Sequence, residues 1–472
     1  MPAAMAPRIA NTRAPPDRIS RVRSESSSLA GESDQVVVAL GTFPYVSMRD
    51  RSPVIVARIV DFLSREKGQM KKRFGEEVVS DLKSVAEMLS KLRYEMMTNK
   101  PLIPFEVDAP DQEMWNKALE EEAAREGKEP TWFDSPWLFV ECYMYRRIRE
   151  TFDDSLFLRQ FDYFQHQKQD SYWNSLEAIK GLAKYFKTSY HQTKQWKLQE
   201  AKVIFRHFIE LALWGNKCDL SITAGQDASQ KTDLLEDLDK SADKILCNHF
   251  ENLCNYLTQL ESTRIDRLKS AGLIVDNAGF ELFCDLLLMD FLCSSHVVQK
   301  VHFHVKSMPW YISDVTTHDF LWMVDVMQKP ECGEDVQWMA QRWIQYLKSG
   351  EWTLHDEMFW TLPYPFSEMQ IEDPGLYQHL AQNQLVIAKG DLNYRKLVGD
   401  LEWPRHTSFT EVLRGFHPAP ILTLRTLKAN TVAGLKEGLA ETMDKSGEDW
   451  MVTGNYAVIQ FCDKISPIGV ST

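Results

Sequence analysis

Two rhythms of apolar and polar positions divide the chain. From about residue 50 to residue 215 apolar side chains recur every three or four positions, the spacing of one face of a helix. Val54, Ile55, Ile59, Phe62 and Leu63 mark one helix, and Leu82, Val85, Leu89 and Leu92 mark another across residues 78–96. In Trp132-Phe133-Asp134-Ser135-Pro136-Trp137 the pattern places Ser135 as N-cap and Pro136 at the first helical position, where a missing N–H costs nothing. Leu138, Cys142, Tyr145 and Ile148 line the helix that follows, and two more helical stretches run near 172–187 and 195–213. No strand-like alternation interrupts this half, so residues 35–215 are predicted to form a helical domain.

After a polar, loop-like stretch at 221–232 and a helical one at 233–260, the rhythm changes. Short apolar runs at 273–275, 301–305, 385–388, 421–424 and 456–461 alternate with amphipathic stretches at 280–293, 320–327, 336–347 and 376–382. Strands separated by helices predict an α/β fold: residues 216–472 as a Rossmann-like α/β/α sandwich with a mostly parallel sheet, the catalytic domain. There is no internal repeat. Residues 1–34, rich in Arg, Ser, Pro and Ala, are predicted to be a disordered tail. Their composition also resembles an organelle transit peptide, although Pro15-Pro16 breaks the amphipathic helix such a peptide forms.

Charge narrows the partners. A net charge of −13 argues against nucleic acid or an anionic membrane, both of which attract basic surfaces, and leaves room for a local basic pocket. The most apolar stretch, 280–293, is interrupted by Glu281, Asp285 and Asp290, so no membrane span is expected. The eight cysteines form no C-x-x-C pair, and Cys284 and Cys293 sit in apolar periodic stretches as buried thiols. Residues 1–30 lack the apolar centre of a secretory signal. An intracellular, chiefly cytoplasmic location is expected.

Ligands of parallel sheets bind beyond the carboxyl ends of the strands, so the residues after each apolar run are the candidates for chemistry. One set is Asp276, Asn277 and Asp314: hard oxygen donors suited to Mg²⁺ or Mn²⁺. Alone, Asp276-Asn277 is more often a turn. Gly279, which leaves room for a ligand beside the backbone, and a helix start after it favour an anion there. The other set is Lys389, Asn393, Arg395, Arg425 and Lys428, donors suited to phosphate. Each alone reads as a solvated loop residue; their convergence on the acidic set points to metal-assisted phosphoryl chemistry.

Other groups read more plainly. Cys247, His249 and Cys254 lack a second metal-ligand pair. His302 and His304 share a face of one strand and read as satisfied sheet histidines. Trp214–Ser221 is a helix stop and turn, or a segment reaching the site. No Walker A loop and no G-x-S-x-G is present.

Several blocks together resemble the damage-control phosphatase family: SPWLFVECYMYRR (135–147), WGNKCDLS (214–221), VDNAGFE (275–281), PWYISDVTTHD (309–319), FWTLP (359–363), KGDLNYRK (389–396) and GFHPAPILTLRTLK (415–428). The likeness runs from about residue 43 to the end of the chain. The R-T-x-K signature is similar to that of the sugar-phosphate branch. The resemblance implies Asp276, Asn277 and Asp314 as catalytic metal ligands for Mn²⁺, Co²⁺ or Ni²⁺. It implies substrate contacts from Asp276, Asn277, Asp391, Leu392, Asn393, Tyr394, Arg395 and Lys428, to which the cationic set adds Lys389. It implies hydrolysis of sugar phosphomonoesters, fructose 1-phosphate preferred and fructose 6-phosphate accepted, in a role of clearing reactive sugar phosphates. Animal members carry a second described activity, S-adenosylmethionine-dependent methylation of glutamates in a protein substrate, with Glu281 and Asp314 as cofactor contacts. The sequence favours the phosphatase, because a single glycine stands where a methyltransferase would place a glycine-rich loop.

Overall fold

The computed structural model describes residues 35–38, 40, 42–192, 198–223, 240–262 and 269–463. The expected tail, residues 1–34, and most of the expected loop at 221–232 lie outside them. The strands β1 (Ile245–Asn248), β2 (Ser270–Ile274), β3 (Lys300–His304), β4 (Trp352–His355), β5 (Leu385–Lys389), β6 (Ile421–Thr426) and β7 (Ala457–Cys462) form one sheet in the order β1-β7-β6-β5-β2-β3-β4. Neighbours run parallel except β6 and β7. From β2 the chain winds outward to β3 and β4, then returns to build β5, β6 and β7 on the other side. The order therefore reverses between β2 and β5, which opens a crevice at their carboxyl ends.

Strand residues alternate between two cores. Ile274, Val386, Ala388, Ile421 and Val458 face one, with helices Ser52–Phe74, Val78–Met97, Gln112–Glu126 and Trp137–Asp153. Leu273, Leu385, Ile387, Leu422 and Ile459 face the other, with helices Leu176–Gln192, Lys202–Thr223, Phe280–Ser294 and Glu334–Ser349. A sheet covered on both faces reads as continuous apolar runs rather than alternation, which is how β2, β5 and β6 read. The helical half of the sequence thus covers both faces of the sheet. The expected boundary at residue 215 falls inside helix Lys202–Thr223.

Local differences have local causes. β1 falls in the stretch read as helix, and β4 was not expected. Both are four-residue edge strands, too short to show a period. Pro136, not Ser135, is the N-cap of helix Trp137–Asp153, with extended ψ of 133°. The Ser135 hydroxyl instead accepts from Thr131 N at 3.0 Å. Among the described residues no helix is long and apolar enough to cross a membrane. Cys284 is a buried free thiol and Cys293 a half-buried one.

Helix Phe280–Ser294 is buried on nearly all sides, acids included. Each acid finds cations. Glu281 and Asp285 meet Lys389, at 3.1 and 3.2 Å. Asp290 accepts from Arg342 Nη2 (2.7 Å), Trp343 Nε1 (3.0 Å) and Ser294 Oγ (2.9 Å), tying this helix to Glu334–Ser349. Asp290→Ala strands Arg342 and the indole N–H together. It is expected to cost about 3 kcal/mol in urea unfolding, with Asp290→Asn losing less. Unchanged unfolding would show the network to be ornamental.

Candidate active site

The loops after β2 and β3 are stitched together at the crevice. Val315 N donates to Asp276 O (2.9 Å), Ala278 N donates to Ser313 O (2.7 Å), and Asn277 and Asp314 form an isolated antiparallel bridge. The first two expected acids therefore share one wall although 38 positions separate them, and both are buried. From the third side comes β5. Its last residue, Lys389, is followed by Gly390 at φ +83°, and a Cβ there would stand 1.9 Å from Asp276 Oδ2. Glycine at 390 is what lets the Asp276 carboxylate lie against the start of helix Gly390–Val398. Gly279, at φ +74°, serves another purpose than the expected one. A Cβ on it would meet Ser171 Oγ at 2.3 Å, so its space is taken by helix Gln165–Asn174 and not by a ligand.

A cavity of about 270 Å³ opens here. Of the expected residues, Asp276, Asn277, Asp314, Asp391, Leu392, Arg395 and Lys428 line it. Cavities of about 460 and 760 Å³ lie elsewhere, but neither holds Asp276 or Lys428. Volume ranks them above this one; chemistry does not.

Lys389, Asn393 and Tyr394 do not line the cavity. The Lys389 ammonium donates to Glu281 Oε1 and to Ala212 O beneath it. Burial alone would lower its pKa; Asp285 and Glu281 reverse that and raise it. Asn393 donates to Val275 O (3.2 Å) and Lys389 O (2.8 Å), holding β2 to β5. Tyr394 is buried, with the Arg425 guanidinium 4.1 Å from its ring centre. Arg425 in turn pairs with Asp391 (2.9 Å), which also accepts from Lys428 N (3.1 Å). The R-T-x-K segment thus fixes Asp391 and turns Lys428 toward the cavity. Arg395 lines the cavity but is committed to Asp400 (2.8 and 2.9 Å) and Glu141 (2.7 Å), and stacks on Trp137 at 3.7 Å.

The helical half supplies wall residues that sequence reasoning missed: Arg51, Glu141 and Tyr145. Arg51 is exposed and makes no ion pair among the described residues. Its only signal in the sequence was a basic residue two positions before Pro53, indistinguishable from a solvated one. Gly215, read as part of a helix stop, lies within helix Lys202–Thr223. A Cβ there would stand 3.0 Å from Glu281 Cα, so this glycine brings the helix against Phe280–Ser294.

The donor set fits a divalent cation. Asp276, Glu281, Asp285 and Asp314 are all buried, and the buried lysines facing them are Lys306 and Lys389. Lys168, nearby, is committed to Asp162 and Asp319. Lys428 also faces Asp276 across the cavity and lowers its pKa, but less than burial and the neighbouring acids raise it. Burial, then Glu281 and Asp314, hold Asp276 well above the usual carboxylate range. Burial pushes Asp314 up to about 6 against the pull of Lys306. Asp314 Oδ2 is buried, and its near neighbour is the Lys306 ammonium at a long 3.5 Å. Such oxygens are what a hard cation takes.

Buried acids beside cations, at the switch point of a doubly wound sheet, define a class: an α/β enzyme acting on an anionic small molecule. A family model described as the damage-control phosphatase ARMT1-like domain matches residues 47–443. The chain is 41% identical over 428 residues to damage-control phosphatase ARMT1 of Danio rerio, covering 89% of this chain and 95% of that one. The mouse protein of the same name, from Mus musculus, is 40% identical, with 89% and 96% covered. That of Homo sapiens is 39% identical, with 92% and 98% covered. A solved structure of a DUF89 family protein from Pyrococcus horikoshii aligns at 15% identity and TM-score 0.39, over 80% of this chain and 97% of that one. The chain belongs to the damage-control phosphatase ARMT1-like family, and it is a phosphatase.

Gly390→Ala is expected to lower stability by roughly 2–4 kcal/mol, from the positive φ and from the clash with Asp276. Gly415, at φ +81°, has no atom within 4 Å of a Cβ, so Gly415→Ala is expected to cost only about 1 kcal/mol. Equal losses in thermal denaturation would mean that Asp276 does not occupy the space that Gly390 leaves.

Proposed function

We propose that this site hydrolyses sugar phosphomonoesters, with fructose 1-phosphate preferred and fructose 6-phosphate accepted. The observation that carries the reading is the meeting of Arg51, Arg395 and Lys428 with Asp276, Asn277 and Asp314 around one small cavity. Asp276, Asn277 and Asp314 would hold the divalent metal, Mn²⁺, Co²⁺ or Ni²⁺. When bound, the ion supplies Lewis-acid polarisation of a phosphoryl oxygen. The chain's own residues do the rest. Lys428 and Arg51 neutralise the phosphate charge from opposite walls, one from the sheet and one from the helical half. Asp391, fixed by Arg425, accepts a sugar hydroxyl, and Leu392 packs against the sugar ring. Asn277 donates to Asp276 Oδ2 (2.9 Å) and to Glu281 Oε2 (2.8 Å), which holds the Asp276 carboxylate in orientation.

The methyl-transfer alternative relies on Glu281 and Asp314, of which Asp314 lines the cavity and Glu281 does not. The Glu281 carboxylate is taken up by Lys389 and Asn277. No observation in the structure favours that reading.

Purified protein assayed with Mn²⁺, Co²⁺ or Ni²⁺ against a panel of phosphomonoesters is expected to release phosphate, fastest from fructose 1-phosphate. Labelled S-adenosylmethionine is expected to transfer nothing. Methyl transfer without phosphate release would sink the reading. Asp276→Ala is expected to abolish metal-dependent turnover and to lose tight Mn²⁺ binding in calorimetry; full activity in the presence of chelator would refute the ligand assignment. Arg51→Ala is expected to raise KM about tenfold or more, the scale of one lost charge-assisted contact, with a smaller change in kcat. An unchanged KM would remove Arg51 from the phosphate cradle.

A further inference from the structure

We propose that His302, His355 and His379 form a second metal site, built of imidazoles, that takes Zn²⁺ at the β3–β4 edge of the sheet. The three residues come from separate elements: β3, β4 and helix Pro374–Leu380. One ring nitrogen from each lies within 4.8 Å of the others. His302 Nδ1 and His355 Nε2 stand 3.3 Å apart. Two nitrogens each about 2.0–2.1 Å from zinc at a tetrahedral angle are separated by roughly that distance. The Thr353 hydroxyl lies 2.8 Å from both nitrogens. These three atoms form a triangle that a cation or a shared proton must satisfy.

The surroundings match those of metal-bound histidines. Glu357 Oε1 lies 3.8 Å from His355 Nδ1 and 3.7 Å from His379 Nδ1. A carboxylate facing the Nδ1 side of two rings is the usual outer partner of a metal-bound imidazole, and a closer approach on metal binding would favour the tautomer that leaves Nε2 as ligand. Glu357 is itself held by Trp360 Nε1 at 2.9 Å and by His304 Nδ1 at 3.2 Å. The fully buried His304 has its Nε2 without a hydrogen-bond partner. The three ligands are half-buried, so solvent reaches the cluster.

None of these histidines lines the cavity that holds Asp276. The two sites differ in donor chemistry. Oxygens suit hard ions, and imidazole suits zinc, copper, nickel and cobalt. The ion would pin helix Pro374–Leu380 to the edge strand β4, where four residues of pairing give little holding power of their own.

The test uses tag-free full-length protein stripped with chelator, loaded with excess Zn²⁺ and passed through gel filtration, with bound zinc counted by mass spectrometry. Wild type is expected to keep one more equivalent than the double variant His302→Ala/His379→Ala. Asp276→Ala is expected to keep that equivalent. Equal zinc in wild type and the double variant overturns the proposal. Should the double variant fail to fold, X-ray absorption on zinc-loaded Asp276→Ala decides. Imidazole scattering around zinc supports the site, and a shell of oxygen alone overturns it. Neither readout depends on phosphatase activity, so the two proposals fail separately.

Discussion

Everything at the crevice depends on one buried ammonium. Lys389 sits under the site with Glu281, Asp285 and the Ala212 carbonyl around it. Without that charge, helix Phe280–Ser294 could not carry two acids into an apolar core, because an unpaired buried carboxylate costs several kcal/mol. Without that helix start, Asn277 would lose its contact with Glu281 and Asp276 its brace. The lysine is the last residue of β5, so the strand that completes the switch point also supplies the counter-charge. Gly390 follows at once and makes room for the acid that the lysine helps to sustain. Charge, backbone freedom and strand order meet in two consecutive residues.

The same economy explains why the helical half is not a separate body. Its helices fill both cores of the sheet, and Arg51, just before helix Ser52–Phe74, and Glu141, in helix Trp137–Asp153, reach the cavity wall. A catalytic crevice beyond a sheet edge is open to solvent on one side. Here that side is walled by residues more than 130 positions away in sequence. Water exclusion, which strengthens every charge interaction inside, is therefore a property of the whole chain.

The α/β class, five of the seven strands and the acidic wall were legible because burial on both faces writes itself as apolar runs and function gathers at their ends. β1 and β4 were not, because four residues at an edge carry no period. Asp276, Asn277 and Asp314 were found together, but their closeness comes from backbone pairing between two loops, which no pattern announces. Lys389 was read as a phosphate contact because a cation after a strand looks the same whether it points to solvent or inward. The direction was decided by Glu281 and Asp285, a hundred residues earlier. His302 and His304 were read as sheet histidines. Their neighbours His355 and His379 arrive from an unpredicted strand and a seven-residue helix, so the cluster exists only in three dimensions.

The cations at the cavity are not equivalent, and their prior commitments assign their work. Arg395 is bonded on both edges and stacked on Trp137; turning it to a phosphate would leave Asp400 or Glu141 buried without a partner. Its contribution is a fixed positive field and a rigid wall. Arg51 has no carboxylate to abandon among the described residues, so on the proposed reading a phosphate would gain its full charge-assisted contact. Lys428 hangs from a segment whose backbone is already bound to Asp391, so its stem is placed before any ligand arrives. On the proposed reading, a chain of net charge −13 holds an anion by a few cations gathered at one cavity and not by a basic surface. That reading suits a small, compact phosphate ester, which matches a cavity of about 270 Å³.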